Sequence, residues 1–156
     1  MKITRASVIV AIIAAVGIYC LIITIRNLFL SEEEKIKRIF YAIADAAHEK
    51  SVPGVTKYLS ADFRLKCEFY NYDENLTGLS PSRLLLVLYR QFDEPTIKIE
   101  SICVEVKGET ASASLAGYFT HKDDPGRLYY DCAANLKKKD DEWLITAAKA
   151  KRSTTP

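Results

Sequence analysis

The 156 residues predict an α+β domain, with three N-terminal helices packed on a curved antiparallel sheet, preceded by one transmembrane helix. Three observations carry this. An uncharged apolar run, Val8 to Ile25, opens the chain; helical periodicity governs residues 31 to 59; and from Thr96 onward apolar residues alternate at a period of two between turn signals.

The apolar run, flanked by Lys2 and Arg5 before it and Arg26 after it, reads as a membrane anchor. With its neighbours it spans close to the roughly 30 Å of a bilayer's hydrocarbon core. A cleaved signal peptide is the rival reading. It is opposed by the bulky Leu28, Phe29 and Leu30, where a peptidase prefers small residues. The expected division is a tail over 1–5, an anchor and juxtamembrane segment over 6–30, a folded domain over 31–152 and a loose end over 153–156. The bilayer is thus an expected partner, and the protein is expected to be single-pass with its domain outside the cytoplasm.

The net charge is +2, but Lys2, Arg5 and Arg26 precede every acidic residue. Without those three, the 22 basic residues become 19 against 20 acidic ones, so the domain is nearly neutral. A basic nucleic-acid face is unsupported, and Lys137-Lys138-Lys139 runs straight into Asp140-Asp141-Glu142 as a solvated hairpin tip.

Ser31 with Glu34 forms a capping-box pattern, and Ile36, Ile39, Phe40, Ile43, Ala44 and Ala47 make one helical stripe to about Lys50. Ser51-Val52-Pro53-Gly54 breaks that helix and starts a short second one. Phe63, Leu65, Cys67 and Phe69 then alternate with charged residues as a half-buried strand. Ser80-Pro81 opens a third helix that Pro95 ends.

In the last third, Ile97 and Ile99 share one parity and Ile102, Val104 and Val106 the other, which predicts a β-bulge near Ser101. Gly108-Glu109 predicts a type II′ hairpin that sets Lys107 opposite Thr110, Val104 opposite Ala113 and Ile102 opposite Leu115. The next strands are expected to turn Ala111, Ala113, Leu115, Gly117 and Phe119 inward, then Leu128, Tyr130, Cys132, Ala134 and Leu136. Trp143, Ile145 and Ala147 follow, which gives a four-stranded antiparallel meander.

This order of elements, with Tyr58-Leu59-Ser60-Ala61-Asp62-Phe63 after the helices and Glu142-Trp143-Leu144-Ile145 near the end, resembles the nuclear transport factor 2-like (cystatin-like, SnoaL-like) superfamily over about residues 32 to 152. The resemblance implies a sheet curved round the first helix into a cone whose open end can hold a ligand. It is similar in layout to membrane-anchored members of the bacterial envelope. Enzymes of the superfamily, isomerases and dehydratases among them, place carboxylates, histidines or tyrosines inside the cone. Here the expected inner positions are apolar or small apart from Tyr130 and Cys132, so no catalytic residue is assigned and the chain reads as non-enzymatic.

No cofactor motif is present and no metal site is assigned. His121 beside Asp123 and Asp124 reads as a solvated turn, His48 as a helix-end charge, and Asp131 faces outward by parity. Cys67, Cys103 and Cys132 are odd in number without CxxC spacing, and Cys67 and Cys132 share the inner face.

Two functions fit. The favoured one is an interaction or assembly module of the cell envelope. It would self-associate as a homodimer, or bind an envelope protein, through the outer face of Ser112, Ser114, Tyr118, Tyr129 and Asp131. The alternative is a pocket for a small apolar ligand, with Tyr58, Tyr70, Tyr72, Tyr130, Cys132 and Trp143 as candidate contacts and small residues such as Ala111 and Ala147 leaving room.

Overall fold

The computed structural model describes residues 15–19, 30–67, 80–91, 94–122 and 124–153. The chain divides into two compact units, Met1–Glu32 and Glu33–Pro156. In the first, residues 15–19 are helical, and the rest of the expected anchor lies outside the described residues. Among the described residues no helix is long and apolar enough to cross a membrane.

In the second unit, α1 (Glu32–His48) buries Ile36, Phe40, Ala44, Ala46 and Ala47, the stripe that its spacing requires plus Ala46. Ile36 is fully buried. The Ser51 hydroxyl accepts the Gly54 N–H at 3.2 Å and caps the single-turn α2 (Val52–Thr56). That turn seats Val55 against Ala46 and Ala47 in a small apolar cluster. At the end of α1, His48 Nδ1 lies 3.2 Å from the Pro95 carbonyl, which joins the helix end to the approach of the first long strand.

The sheet has five strands in the order β1-β5-β4-β3-β2: β1 (Leu59–Cys67), β2 (Thr96–Lys107), β3 (Thr110–His121), β4 (Asp124–Lys139) and β5 (Glu142–Arg152). Between β1 and β2 lies α3 (Pro81–Gln91). The β2–β3 register matches the turn chemistry, with Lys107 opposite Thr110, Val104 opposite Ala113 and Ile102 opposite Leu115. Gly108 has φ +62 while Glu109 keeps a negative φ, as a type II′ turn demands. The register shifts between Ile99 and Ser101, so the bulge restores Ile97, Ile99, Ile102, Val104 and Val106 to one face. At the other tip, Asp140 (φ 49) and Asp141 (φ 69) form a two-residue turn with both dihedrals positive. Lys138 Nζ pairs there with Asp141 at 2.9 Å.

Two expectations are corrected. The sheet is not wholly antiparallel: β1 pairs in parallel with β5, from Leu59 against Ile145 to Cys67 against Ala150. The chain leaves α2 in the direction of β5, where the Ile145 N–H donates to the Tyr58 carbonyl at 2.9 Å, so β1 adds as an edge strand. Nor does Ala147 face inward. Asn135 pairs with Ala147 but Leu136 with Ile145, so Thr146 is an extra residue, its hydroxyl donating to the Asn135 carbonyl at 3.1 Å. That bulge reverses the parity and turns Ala148 and Ala150 inward in place of Ala147.

The core joins Ile36 and Phe40 of α1 to Val104, Leu115, Leu136, Trp143 and Ile145 of the sheet. Among the described residues no polar or charged residue is buried in it.

Candidate functional site

Adjoining this core, between the helices and the sheet, lies an apolar cavity of about 380 Å³, inside the roughly 300–1,000 Å³ range of small-molecule sites. From α1, Phe40, Ile43, Ala44 and Ala47 line it, and from α3, Pro81, Leu84, Leu85 and Tyr89. Both sets follow helical three- and four-residue spacing, so each helix offers the cavity one stripe. The sheet supplies Phe63, Leu65 and Cys67 from β1, Ile97 and Ile99 from β2, and Leu115 and Phe119 from β3. Leu128, Tyr130 and Cys132 come from β4, and Ile145, Ala148 and Ala150 from β5. Alanine at the last two positions is what leaves room, because the Thr146 bulge brings these small side chains, and none larger, to the wall.

Among the described residues, the polar groups of this wall are two thiols and two phenols. Cys67 and Cys132 flank Ala150 across β5, each paired with it. Two strand spacings, about 9–10 Å, separate their backbones, beyond the reach of a disulfide, and neither forms one. Burial, then the nearby Cys67, pushes the Cys132 thiol up to about 11. Tyr130 crosses above Gly117 to reach the Lys98 carbonyl at 3.5 Å, and burial, then Cys132 and Glu100, pushes its phenol up to about 12. Gly117 makes this crossing feasible: a Cβ there would lie 2.9 Å from the Tyr130 hydroxyl and 2.0 Å from the Lys98 carbonyl oxygen.

These shifts fix a pH dependence. The folded protein holds both protons more tightly than the unfolded chain, whose thiol and phenol titrate near 9 and 10, so unfolding at high pH releases protons. Their contribution is complete below pH 9 and declines as pH rises through 9 to 12. Urea titrations across that range should show Tyr130→Phe flattening the upper part of the decline and Cys132→Ala the lower part. Parallel profiles for wild type and both variants would refute this.

Of the other expected contacts, Tyr58 is half-buried away from the wall, with the Lys57 ammonium 4.7 Å from its ring centroid. Its carbonyl ties β1 to β5, which holds its backbone at the sheet edge. Trp143 is 4 % exposed and belongs to the core with Ile36, because its pairing with Lys138 sets it one residue from the β4–β5 turn. Tyr70 and Tyr72 lie outside the described residues.

On the outer face, Ser112 and Ser114 are exposed, and Tyr118 pairs with Tyr129 edge to face at 5.9 Å. The Arg127 guanidinium lies 4.7 Å from the Tyr118 ring centroid, and Asp131 lies 4.0 Å from Lys151. His121 ends β3 opposite Asp124, with its ring 5.9 Å from that of Phe119. Among the described residues no three His, Cys, Asp or Glu side chains cluster as a metal site would require.

Tyr89, Ala148 and Ala150 were not legible as wall residues one by one. The available signal for Tyr89 was its eight-residue offset from Pro81, which continues the stripe through Leu84 and Leu85.

No family model and no curated protein matches the chain. Solved structures do. A nuclear transport factor 2-like protein with a cystatin-like fold from Novosphingobium aromaticivorans superposes with a TM-score of 0.68 at 12% identity, covering 86% of this chain and 90% of that one. A proposed dehydratase of the same fold family from Streptomyces avermitilis gives 0.66 at 11% identity, over 80% of this chain and 97% of its own. A protein of unknown function from Pseudomonas putida gives 0.62 at 10% identity, over 76% and 84%. At these identities the likeness is one of architecture, and with the helix-packed, bulged sheet described above it makes this a nuclear transport factor 2-like, cystatin-like fold.

Proposed function

We propose that the domain binds a small, largely apolar molecule in its cone, and that the run Val8 to Ile25 holds it at a membrane. The observation that carries the binding reading is the cavity itself: about 380 Å³, walled by three helices and five strands, with no ionised side chain among the described residues that line it. A cavity of this kind favours uncharged ligands, since a charge taken into it would lose hydration without gaining a partner. General acid–base catalysis needs a group that exchanges protons near neutral pH, and the Tyr130 phenol and Cys132 thiol are both pushed away from that range. Binding therefore fits better than turnover. The anchor reading rests on the apolar run and its flanking charges alone.

A second reading, self-association or docking of an envelope protein through the outer sheet face, is favoured by the Tyr118–Tyr129 pair amid small side chains. Native mass spectrometry of the full chain, freed of detergent, tests both. The binding reading expects a reproducible small-molecule mass that Ala148→Phe removes while the circular dichroism spectrum is kept. A bare protein mass from several expression hosts, together with no uptake of 2-isopropylnaphthalene, would overturn it. A dimer that Tyr129→Glu converts to monomer would support the second reading, and a wild-type monomer would remove self-association.

A further inference from the structure

The described residues present no polar surface to the cavity. Strand backbone groups point sideways, into the ladders or out at the sheet edges, and helix backbone groups point along their axes. The Tyr89 hydroxyl is itself buried, and the Tyr130 hydroxyl is turned to the Lys98 carbonyl. An oxygen or nitrogen carried into this space would give up its hydrogen bonds to water and gain none. The space also has a direction. Leu115 and Ile145 at one end are buried with Phe40 in the core, whereas Phe119 and Leu128 at the other are only half-buried. At the strand rise of about 3.3 Å per residue, Leu115 and Phe119 stand about 13 Å apart along β3. Drawn out over that length, about 380 Å³ makes a narrow space with room for about a dozen water-sized groups, and a methylene is of that size.

Building on the binding reading, we infer that the cavity takes the alkyl chain of an amphiphile, about ten to twelve carbons of it, with the polar head left outside in water. An unbranched chain fills the length without carrying a heteroatom past the half-buried end, whereas a compact molecule leaves part of the length empty. Its tip lies against Phe40, Leu115 and Ile145. Among the described residues the cavity is open to solvent, so the head keeps its hydration. Charges of both signs stand near the half-buried end: Arg127 precedes Leu128, and Lys122 pairs with Glu94 at 3.2 Å. Selection is therefore by tail length and not by the kind of head.

The test is a series of unbranched 1-alkanols from hexanol to tetradecanol, titrated below their solubility limits into the detergent-free full chain, counting the binding that Ala148→Phe removes. Affinity should rise about fourfold for each added methylene and stop rising at about ten to twelve carbons. Ala148→Val, which enlarges the wall by two methyl groups, should end the rise about two carbons earlier, with an unchanged melting curve showing that its fold is kept. Dodecyl maltoside and dodecyltrimethylammonium, below their micellar concentrations, should bind as dodecanol does. Loss of binding with either head, an end point that Ala148→Val does not move, or binding of 2-isopropylnaphthalene without a rise along the alkanols would each overturn the alkyl-chain assignment while leaving the cavity as a binding site. If neither the alkanols nor 2-isopropylnaphthalene bind, the binding reading falls and this inference with it.

Discussion

Replacing Gly117 with alanine should cost at least about 3 kcal/mol, the upper end of what overpacking a filled site usually costs. The obstacle is backbone: the new Cβ would meet the Lys98 carbonyl oxygen at 2.0 Å, and that oxygen belongs to the bulged stretch of β2 that curves the sheet. A flexible side chain could move aside, but a carbonyl beside a bulge can retreat only if the β2–β3 ladder opens. The same methyl group would press on the Tyr130 hydroxyl, so one substitution disturbs both the curvature and the cavity wall. Urea unfolding should show a much lower midpoint, and a midpoint equal to wild type would refute the argument. Gly108→Ala provides the contrast. Nothing lies within 4 Å of a Cβ there, and only its φ of +62 opposes the change, at about 1–2 kcal/mol.

Trp143→Ala should lose about 3–5 kcal/mol, the usual range for truncating a buried large aromatic. A domain of this size has about 5–15 kcal/mol in total, so the loss takes a large share of its stability. Trp143 packs with Ile36, Leu136 and Ile145 where α1 meets the sheet, and its removal leaves a void that alanines elsewhere in the core cannot fill. Thermal denaturation checks it, and a small shift of melting temperature would mean that the site collapses. Trp143 is the chain's one tryptophan and lies off the cavity wall, so its fluorescence should report unfolding strongly and ligand entry weakly.

Local chemistry made part of the fold legible. Gly108 set the β2–β3 register, and the parity switch between Ile99 and Ile102 marked the bulge, because residues on the two faces differ sharply in polarity there. The bulge at Thr146 left no such mark. In Ile145-Thr146-Ala147-Ala148-Lys149-Ala150 alanine suits either face, so an extra residue changes the parity without changing the pattern. The site suffered accordingly: Tyr130 and Cys132 lay on a strand with clear alternation, whereas Ala148 and Ala150 depended on the hidden bulge. Trp143 was expected among the ligand contacts because its inward parity was read correctly and its depth was not, since alternation gives the face and says nothing of position along the cone. The parallel β1–β5 pairing is a choice between distant partners that no local pattern encodes.

That pairing also bears on how the protein comes to exist. Leu59 to Cys67 meets its partner more than eighty residues later in the chain, whereas β2 to β5 are joined by short turns and can zip up neighbour by neighbour. On a ribosome, β1 emerges long before the strand it needs and must wait, with Phe63 and Leu65 exposed, until β5 leaves the exit tunnel. Those two side chains and Cys67 are one wall of the cavity, so the container closes last. A nascent or clipped chain without β5 would carry most of the sheet and still lack the β1 wall of the cavity.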